Sequence, residues 1–391
     1  MSIASIKSAC VYESVIDTMR SLDDVPPIFA DIGCEYIHRS FFRWMGMAKI
    51  EQDYDVYGML KQQVISIKSK SPSIVIGGAV TTQEINVIEY NPLTKTIISK
   101  EETWGMALDP QKYGFSMTKE ELYNEYVTIT GNADYIFPDI LNLDYQDLFM
   151  SYVKMQIDAG IESIWIDGFY TQAAIFYMLS GKDITHPAVQ SVFISQNVLI
   201  DKIHEYNNNV TVGSWGGGLF LDISSWTAPN LDFVTSSPDP DEISNMVPND
   251  ILWKEKVNKI YLKFGTVPIF AFIDWGFTTD TQLGIFSQEL RAFEQSNFLI
   301  KLNKVLIDNG IVFAYPVHGG YMGAGAAVRA YGIYNKYDSL APEFNTYNVI
   351  KELSLYGTSE LQPQPTDNNM WVWVIGLGIA AIAATVLLKE R

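Results

Sequence analysis

Two carboxylates leave apolar runs in the same way: Asp167 closes IESIWID at residues 161–167, and Asp274 closes VPIFAFID at residues 267–274. An acid that steps from a dry strand onto a ligand-facing rim has its proton affinity set by burial and neighbours, which suits it to attack or to proton transfer. Two such acids on one rim suit cleavage of an O-glycosidic bond. About 5 Å apart, one attacks the anomeric carbon while the other donates and then recovers a proton; about 6.5–9.5 Å apart, the pair admits a water and inverts the centre. A lone Asp after a strand can equally cap the next helix through its N–H groups. Asp239 and Asp241, in SSPDPDE, are the alternative acid/base, although proline beside acid is ordinary turn chemistry.

Other residues are expected around the same centre. Asp31, Glu35, Glu84 and Asp139 are further acids, and His38 with Arg39 either positions hydroxyls or pairs with them. Tyr315 and His318 end the last apolar run, YPVHGGY. Trp104, Tyr170, Trp215, Trp275 and Tyr321 offer flat apolar faces with a polar handle, in a chain so rich in aromatics (Tyr 22, Phe 20, Trp 9) that most of them must simply pack. Gly216 to Gly218 and Gly319, Gly320, Gly323 and Gly325 read as tight turns. The second group is also a place for a phosphate, with Arg329 the nearest cation.

Composition excludes several chemistries. With 27 Lys and Arg against 45 Asp and Glu, the net charge of −18 repels nucleic acid and other polyanions. The histidines (His38, His186, His204, His318) form no HxH or HExxH pair, and Cys10 and Cys34 form no CxxC, so neither a histidine-built zinc site nor a zinc ribbon is available. No cofactor and no metal are implied. Charged residues at 18% and hydrophobic ones at 48% describe a chain with ample material for a core.

Elements must bring these residues together. Apolar runs at residues 28–32, 73–80, 133–137, 161–166, 210–213, 231–235, 267–273 and 311–317 read as strands, several apolar throughout as parallel strands covered on both faces are. Amphipathic stretches separate them. Thr118 with Glu121 forms a capping box, and Tyr145, Leu148, Phe149, Tyr152 and Val153 share one helix face. A helix from Asp250 lines up Trp253, Val257, Tyr261 and Phe264, and a long one runs from Ser287 to a C-cap at Asn309 and Gly310. Eight strands alternating with about eight helices is the count of an α/β (β/α)8 TIM barrel, whose strand C-termini carry the site. A doubly wound sheet is the alternative, but no GxGxxG follows the first strand.

The ends read differently. Residues 1–25 form an N-terminal extension with no signal-peptide core, 26–357 the barrel, 358–369 a polar tether, 370–388 (MWVWVIGLGIAAIAATVLL) an uncharged transmembrane helix, and 389–391 a basic tail. Trp371 and Trp373 at one end and Lys389 and Arg391 at the other orient the barrel to the outside, as a cell-surface protein on a single C-terminal anchor. Gly376, Ala380 and Ala384 offer a small-residue face for self-association in the bilayer.

Residues 136–170, IFPDILNLDYQDLFMSYVKMQIDAGIESIWIDGFY, resemble a segment of glycoside hydrolase TIM barrels, those of the α-glucosidase and α-galactosidase superfamily and of the endo-α-1,4-polygalactosaminidase type. The shared pattern is an Asp ending strand three, an Asn-containing turn, a helix, and a carboxylate ending strand four. The resemblance implies that Asp167 is the nucleophile, Asp139 the acid ending strand three, and Asp239 or Asp241, after strand six, the acid/base in place of Asp274. Glu162-Ser163 stands where the pattern has Asp-Gly, and Gly168-Phe169-Tyr170 where it often has Met-Asn-Glu. Together these readings expect a membrane-anchored glycosidase acting on an oligo- or polysaccharide. The rivals are a non-catalytic sugar- or protein-binding barrel and a barrel enzyme using phosphate or a metal held by Asp31, Glu84 and Asp167.

Overall fold

A computed structural model describes residues 2–357 apart from positions 18, 45, 275–280 and 322–335. Parallel strands close on themselves in the order β1 (Ala9–Tyr12), β2 (Tyr36–His38), β3 (Val75–Thr81), β4 (Ser163–Asp167), β5 (Thr211–Trp215), β6 (Phe233–Ser236), β7 (Ile269–Ala271) and β8 (Val312–Tyr321), with β8 pairing back onto β1. Helices α1 (Val25–Asp31), α2 (Val56–Lys70), α3 (Leu143–Asp158), α4 (Pro187–Tyr206), α5 (Asp250–Phe264), α6 (Ala292–Asp308) and α7 (Tyr347–Tyr356) supply the outer layer. This is a (β/α)8 barrel. Between β5 and β6 a 3-10 turn, Gly218–Asp222, replaces the helix.

Side-chain alternation along the strands builds two cores. One face fills the lumen with Tyr36, Trp165, Phe233, Phe270 and Phe272, and small residues (Ala9, Ala79, Ala314) make room for them. The other packs on the helices, where α3 buries Tyr145, Leu148, Phe149, Tyr152 and Val153 as their spacing predicts. Leu148, Phe149 and Val153 each contribute roughly 1.5–3 kcal/mol of transfer free energy. Ile3 and Ile6 join the lumen core, where Ile3 lies near the first residues of the strands.

Three sequence expectations are corrected. Residues 28–32 are helix α1, not a strand: Val25, Ile28, Phe29 and Ile32 recur at helical spacing, and Pro26 and Pro27 start the helix at the positions that need no N–H donor. The first two barrel strands are instead Ala9–Tyr12, inside the stretch read as an extension, and Tyr36–His38. Residues 133–137 contain only the two-residue strand Tyr135–Ile136, paired with Ile85–Asn86 in an insertion between β3 and α3. The two displacements cancel, so IWID still ends β4 and IFA still forms β7. The long helix starts after Arg291, because a π-turn at Ile285–Glu289 and the extended Leu290 precede it.

The expected transmembrane helix is also corrected. Among the described residues no helix is long and apolar enough to cross a membrane. Residues 358–391, with the tether, the 370–388 segment and its Gly376, Ala380 and Ala384 face, lie outside the described residues. Membrane anchoring, a cell-surface location and association within a bilayer therefore have no support in the structure.

Candidate active site at the strand C-termini

Arg39 organises the rim. It follows β2 with φ at 59°, a left-handed conformation that costs a non-glycine residue about 1–3 kcal/mol and persists where the surroundings over-determine it. Its guanidinium pairs with Glu13 at 2.6 Å and with Asp274 at 3.5 Å, and lies 5.0 Å from the ring centre of Phe272 and 5.5 Å from that of Trp165. Arg39 is nearly fully buried while Asp274 keeps 23% of its side-chain surface in contact with solvent, so the ion pair reaches from the lumen to the mouth.

Glu13 is the acid that sequence reasoning missed. It leaves β1 as Asp167 leaves β4, after the short apolar run Ala9-Cys10-Val11-Tyr12, and that shared pattern is the signal that would have found it. Its N–H donates to the His318 carbonyl at 2.9 Å, and its Oε2 accepts from the Gly320 N–H at 2.8 Å. Gly319 makes this approach possible: its φ is 129°, and a Cβ there would stand 2.6 Å from that of Glu13. The irregular Gly319–Gly320 turn of the chain near the end of β8 thus faces a carboxylate with its Gly320 donor already used, which removes the reading of these two glycines as a phosphate cradle. Gly323, Gly325 and Arg329 lie outside the described residues.

Asp167 closes β4. Its Oδ1 accepts from the Trp215 indole N–H at 3.0 Å and from the Gly168 N–H at 2.8 Å, so two donors fix one oxygen. Burial raises its pKa above the usual Asp range, against the opposing effects of the Trp215 hydrogen bond and the Arg39 charge. Trp215 in turn stacks on Phe272, with ring centres 5.1 Å apart and planes at 28°. The result is a flat aromatic step beside an acid. His38 lies beneath, edge-on to Trp165 at 5.3 Å and bonded through Nδ1 to the Tyr36 hydroxyl at 3.2 Å; burial, aided by the Arg39 charge, keeps it neutral by holding its pKa well below the ordinary value.

His318 stands in an ion network beside Glu13. Its ring nitrogens meet Asp17 at 2.8 Å and Asp338 at 2.7 Å; Arg20 reaches Asp338 at 2.6 Å, Lys336 reaches Asp17 at 2.7 Å, and Tyr12 stacks on the imidazole at 4.7 Å. Burial alone would lower the His318 pKa, but hydrogen bonds and charges from both acids raise it. Between this network and Arg39 lies a cavity of about 10 Å³, bordered by Val11, Ile273, Leu283 and Tyr337, with room for about one water.

The structure brings Asp167, Asp274, Arg39, His38, Trp215 and His318 to this end of the barrel and places Asp31 and Glu35 away from it. Asp31 ends α1, exposed, and bonds Lys351 at 2.6 Å and Tyr347 at 2.9 Å on α7. Glu35 accepts from the Lys7 N–H at 2.6 Å ahead of β1. Both are at the opposite end of the barrel, because the helix that follows a strand carries the chain back to where the next strand starts. Asp31 therefore cannot join Glu84 and Asp167 around a metal, and no group of three His, Cys, Asp or Glu among the described residues is placed to hold one. Asp139 is locked in the insertion, accepting from Tyr113 at 2.6 Å and Gln172 at 2.8 Å.

Glu84 is buried against the Tyr126 hydroxyl, and burial, with a contribution from the Asp167 charge, pushes its pKa up to about 7. Trp104 packs within the insertion against Tyr123 and Lys119. Asp239 is the N-cap residue of the short helix Pro240–Ser244, its N–H donating to Glu242 at 2.8 Å and its carboxylate pairing with Lys256 at 2.8 Å, and Asp241 is exposed on that helix. Tyr170 packs on Trp226 and Phe220 in the helix layer, where Tyr315 also points, donating to Asn303 at 2.8 Å. Trp275 lies outside the described residues, and the position of the Tyr321 side chain is not described.

The sequence matches no protein-family model and no curated protein at a significant level. Solved structures do match. The type III pullulan hydrolase from Thermococcus kodakarensis aligns at TM-score 0.50 and 10% identity, over 90% of this chain and 64% of its own. Eubacterium rectale Amy13B aligns at 0.49 and 10% identity, over 90% and 78%. The glycoside hydrolase domain of PelA from Pseudomonas aeruginosa aligns at 0.42 and 10%, over 80% and 95%. At such identities the likeness is one of fold: the chain has a barrel of the kind seen in glycoside hydrolases.

Proposed function

We propose that this chain is a glycoside hydrolase in which Asp167 attacks the anomeric carbon and Asp274 serves as acid/base. The observation that supports the reading best is the fixing of Asp167 Oδ1 by two N–H donors, Trp215 and Gly168, neither of which can accept a proton. In this reading Oδ2 is the attacking atom, and the two N–H bonds to Oδ1 oppose the rise in pKa that burial causes. Asp274, at the end of β7, is held by Arg39 and partly open to solvent, as a group that exchanges a proton with substrate and water must be. Glu13, on the other side of Arg39, is a positioning residue. Trp215, half-buried and stacked on the buried Phe272, offers an apolar face to a sugar ring. An oligo- or polysaccharide is the proposed partner.

The test compares wild type with Asp167→Asn and Asp274→Asn on aryl glycosides of both anomers and on a set of oligosaccharides. Turnover should fall at least about a thousand-fold in Asp167→Asn with an unchanged melting profile, and azide should restore activity to the variant lacking the nucleophile by taking its place. Turnover that ignores Asp167 would refute the assignment. One observation favours a second reading, a sugar-binding barrel without catalysis: among the described residues, the cavity between Arg39 and the His318 network is water-sized. Saturable sugar binding without turnover on any substrate would establish it.

A further inference from the structure

Cys10 and Cys34 are the only cysteines of the chain and lie 24 positions apart, yet the fold places their sulfurs 2.8 Å from each other. Cys10 is on β1, and Cys34 is in the turn that delivers the chain from α1 to β2, its neighbour in the barrel. Both are buried, and Cys34 is also 3.0 Å from the Tyr36 carbonyl, to which its S–H donates. The pair lies at one end of the β1–β2 ladder, and the Glu13–Arg39 ion pair lies at the other. Only a sub-ångström approach of the sulfurs separates two thiols from a covalent staple.

We propose that Cys10 and Cys34 form a disulfide as β1 and β2 pair during folding, with a low-molecular-weight disulfide as oxidant. One cysteine thiolate attacks the oxidant and releases one small thiol; the second cysteine attacks the mixed disulfide and releases another. The two thiol protons end on the two released small thiols, the protein sulfurs lose two electrons, and the oxidant gains them. The staple closes a loop of 24 residues' separation, so it stabilises chiefly by restricting the unfolded chain. Burial shields both sulfurs once the barrel has closed, which places the reaction before closure.

The full chain is refolded from guanidinium in a mixture of reduced and oxidised glutathione, denatured again without reductant, and treated with iodoacetamide. The expected result is no alkylation, a mass about two units below that of the reduced chain, and a linked Cys10–Cys34 peptide that dithiothreitol dissolves. The oxidised chain should melt on the order of 5 °C above the reduced one. In Cys34→Ser, one alkylation and a melting temperature indifferent to reductant are expected. The same mass reading on chain produced in an oxidising secretory compartment gives the answer without refolding. Two alkylations per wild-type chain by either route overturn the proposal, and so does an oxidised form that melts no higher than the reduced one.

Discussion

At the scale of single residues, the rim depends on close approaches that only particular side chains permit. Glu13 reaches Arg39 because Gly319 has no Cβ to meet it, and the Gly320 N–H then fixes its second oxygen. Gly319→Ala therefore carries two penalties, a left-handed backbone and a methyl 2.6 Å from the Glu13 Cβ. Gly310→Ala is the control: its φ is 72°, but nothing lies within 4 Å of the added methyl. Gly310→Ala should cost about 1–2 kcal/mol in urea denaturation, from the backbone alone. Gly319→Ala should cost about 1–3 kcal/mol more, because either Glu13 or the turn must move. It should also lower any turnover that depends on Arg39. Equal losses in the two variants would show that Glu13 is not held by the glycine turn.

At the scale of elements, the insertion between β3 and α3 is joined to the barrel by charge. Arg43, beside β3, bonds Glu89 of the insertion at 2.6 Å and Glu51 at 3.1 Å, and lies 3.8 Å from the ring centre of Tyr152 on α3; all three charged groups are buried. Arg43→Met would strand two carboxylates in the interior and should cost about 3–5 kcal/mol. Adding Glu89→Gln should recover part of that loss, since one stranded charge is then removed. Equilibrium urea curves check both, and a cost below about 1 kcal/mol for Arg43→Met would show that the carboxylates find water instead. None of this was legible in the sequence, where Arg43, Glu51 and Glu89 are separated by ordinary polar stretches. What was legible is what burial writes as period: the apolar runs of β3 to β8, the face of α3, the capping box at Thr118. Strands β1 and β2 were missed because their apolar runs are no longer than the strands themselves, whereas the three-residue β7 lies in the longer run 267–273, and α1 was misread because seven residues with two prolines hide a helical spacing. That misreading carried Asp31 and Glu35 to the wrong end of the barrel and left Glu13 unseen.

At the scale of the whole molecule, these buried groups set how stability depends on pH. His318 has a folded pKa raised above its unfolded value, so its contribution is fully present below the unfolded value of about 6.5 and is lost as pH rises through the raised folded value. Asp17 and Asp338 run the other way: burial works against them, but hydrogen bonds and charge from His318, with Lys336 and Arg20 respectively, hold their folded pKa values below the ordinary range. Their contribution is present above about 3.9 and is lost as pH falls through the depressed values. His38, buried neutral, also loses stability on the acid side, because the unfolded chain takes up a proton below about 6.5 that the folded lumen refuses. Glu84, pushed up to about 7, favours folding while it is protonated and weakens it as pH climbs from its unfolded value of about 4.3 through 7. A net charge of −18 adds repulsion as pH rises. Thermal melts across pH 4 to 10 should therefore peak on the slightly acidic side of neutral, at about pH 6 to 6.5, and decline in both directions. His318→Gln should lower the maximum and flatten the alkaline decline, because Asp17 and Asp338 lose the cation between them while the titration that shaped that limb disappears. A melting temperature that kept rising to pH 9 in the wild type would mean that His318 is neutral between its two carboxylates, and the network beside Glu13 would then have to be rebuilt around a shared carboxyl proton.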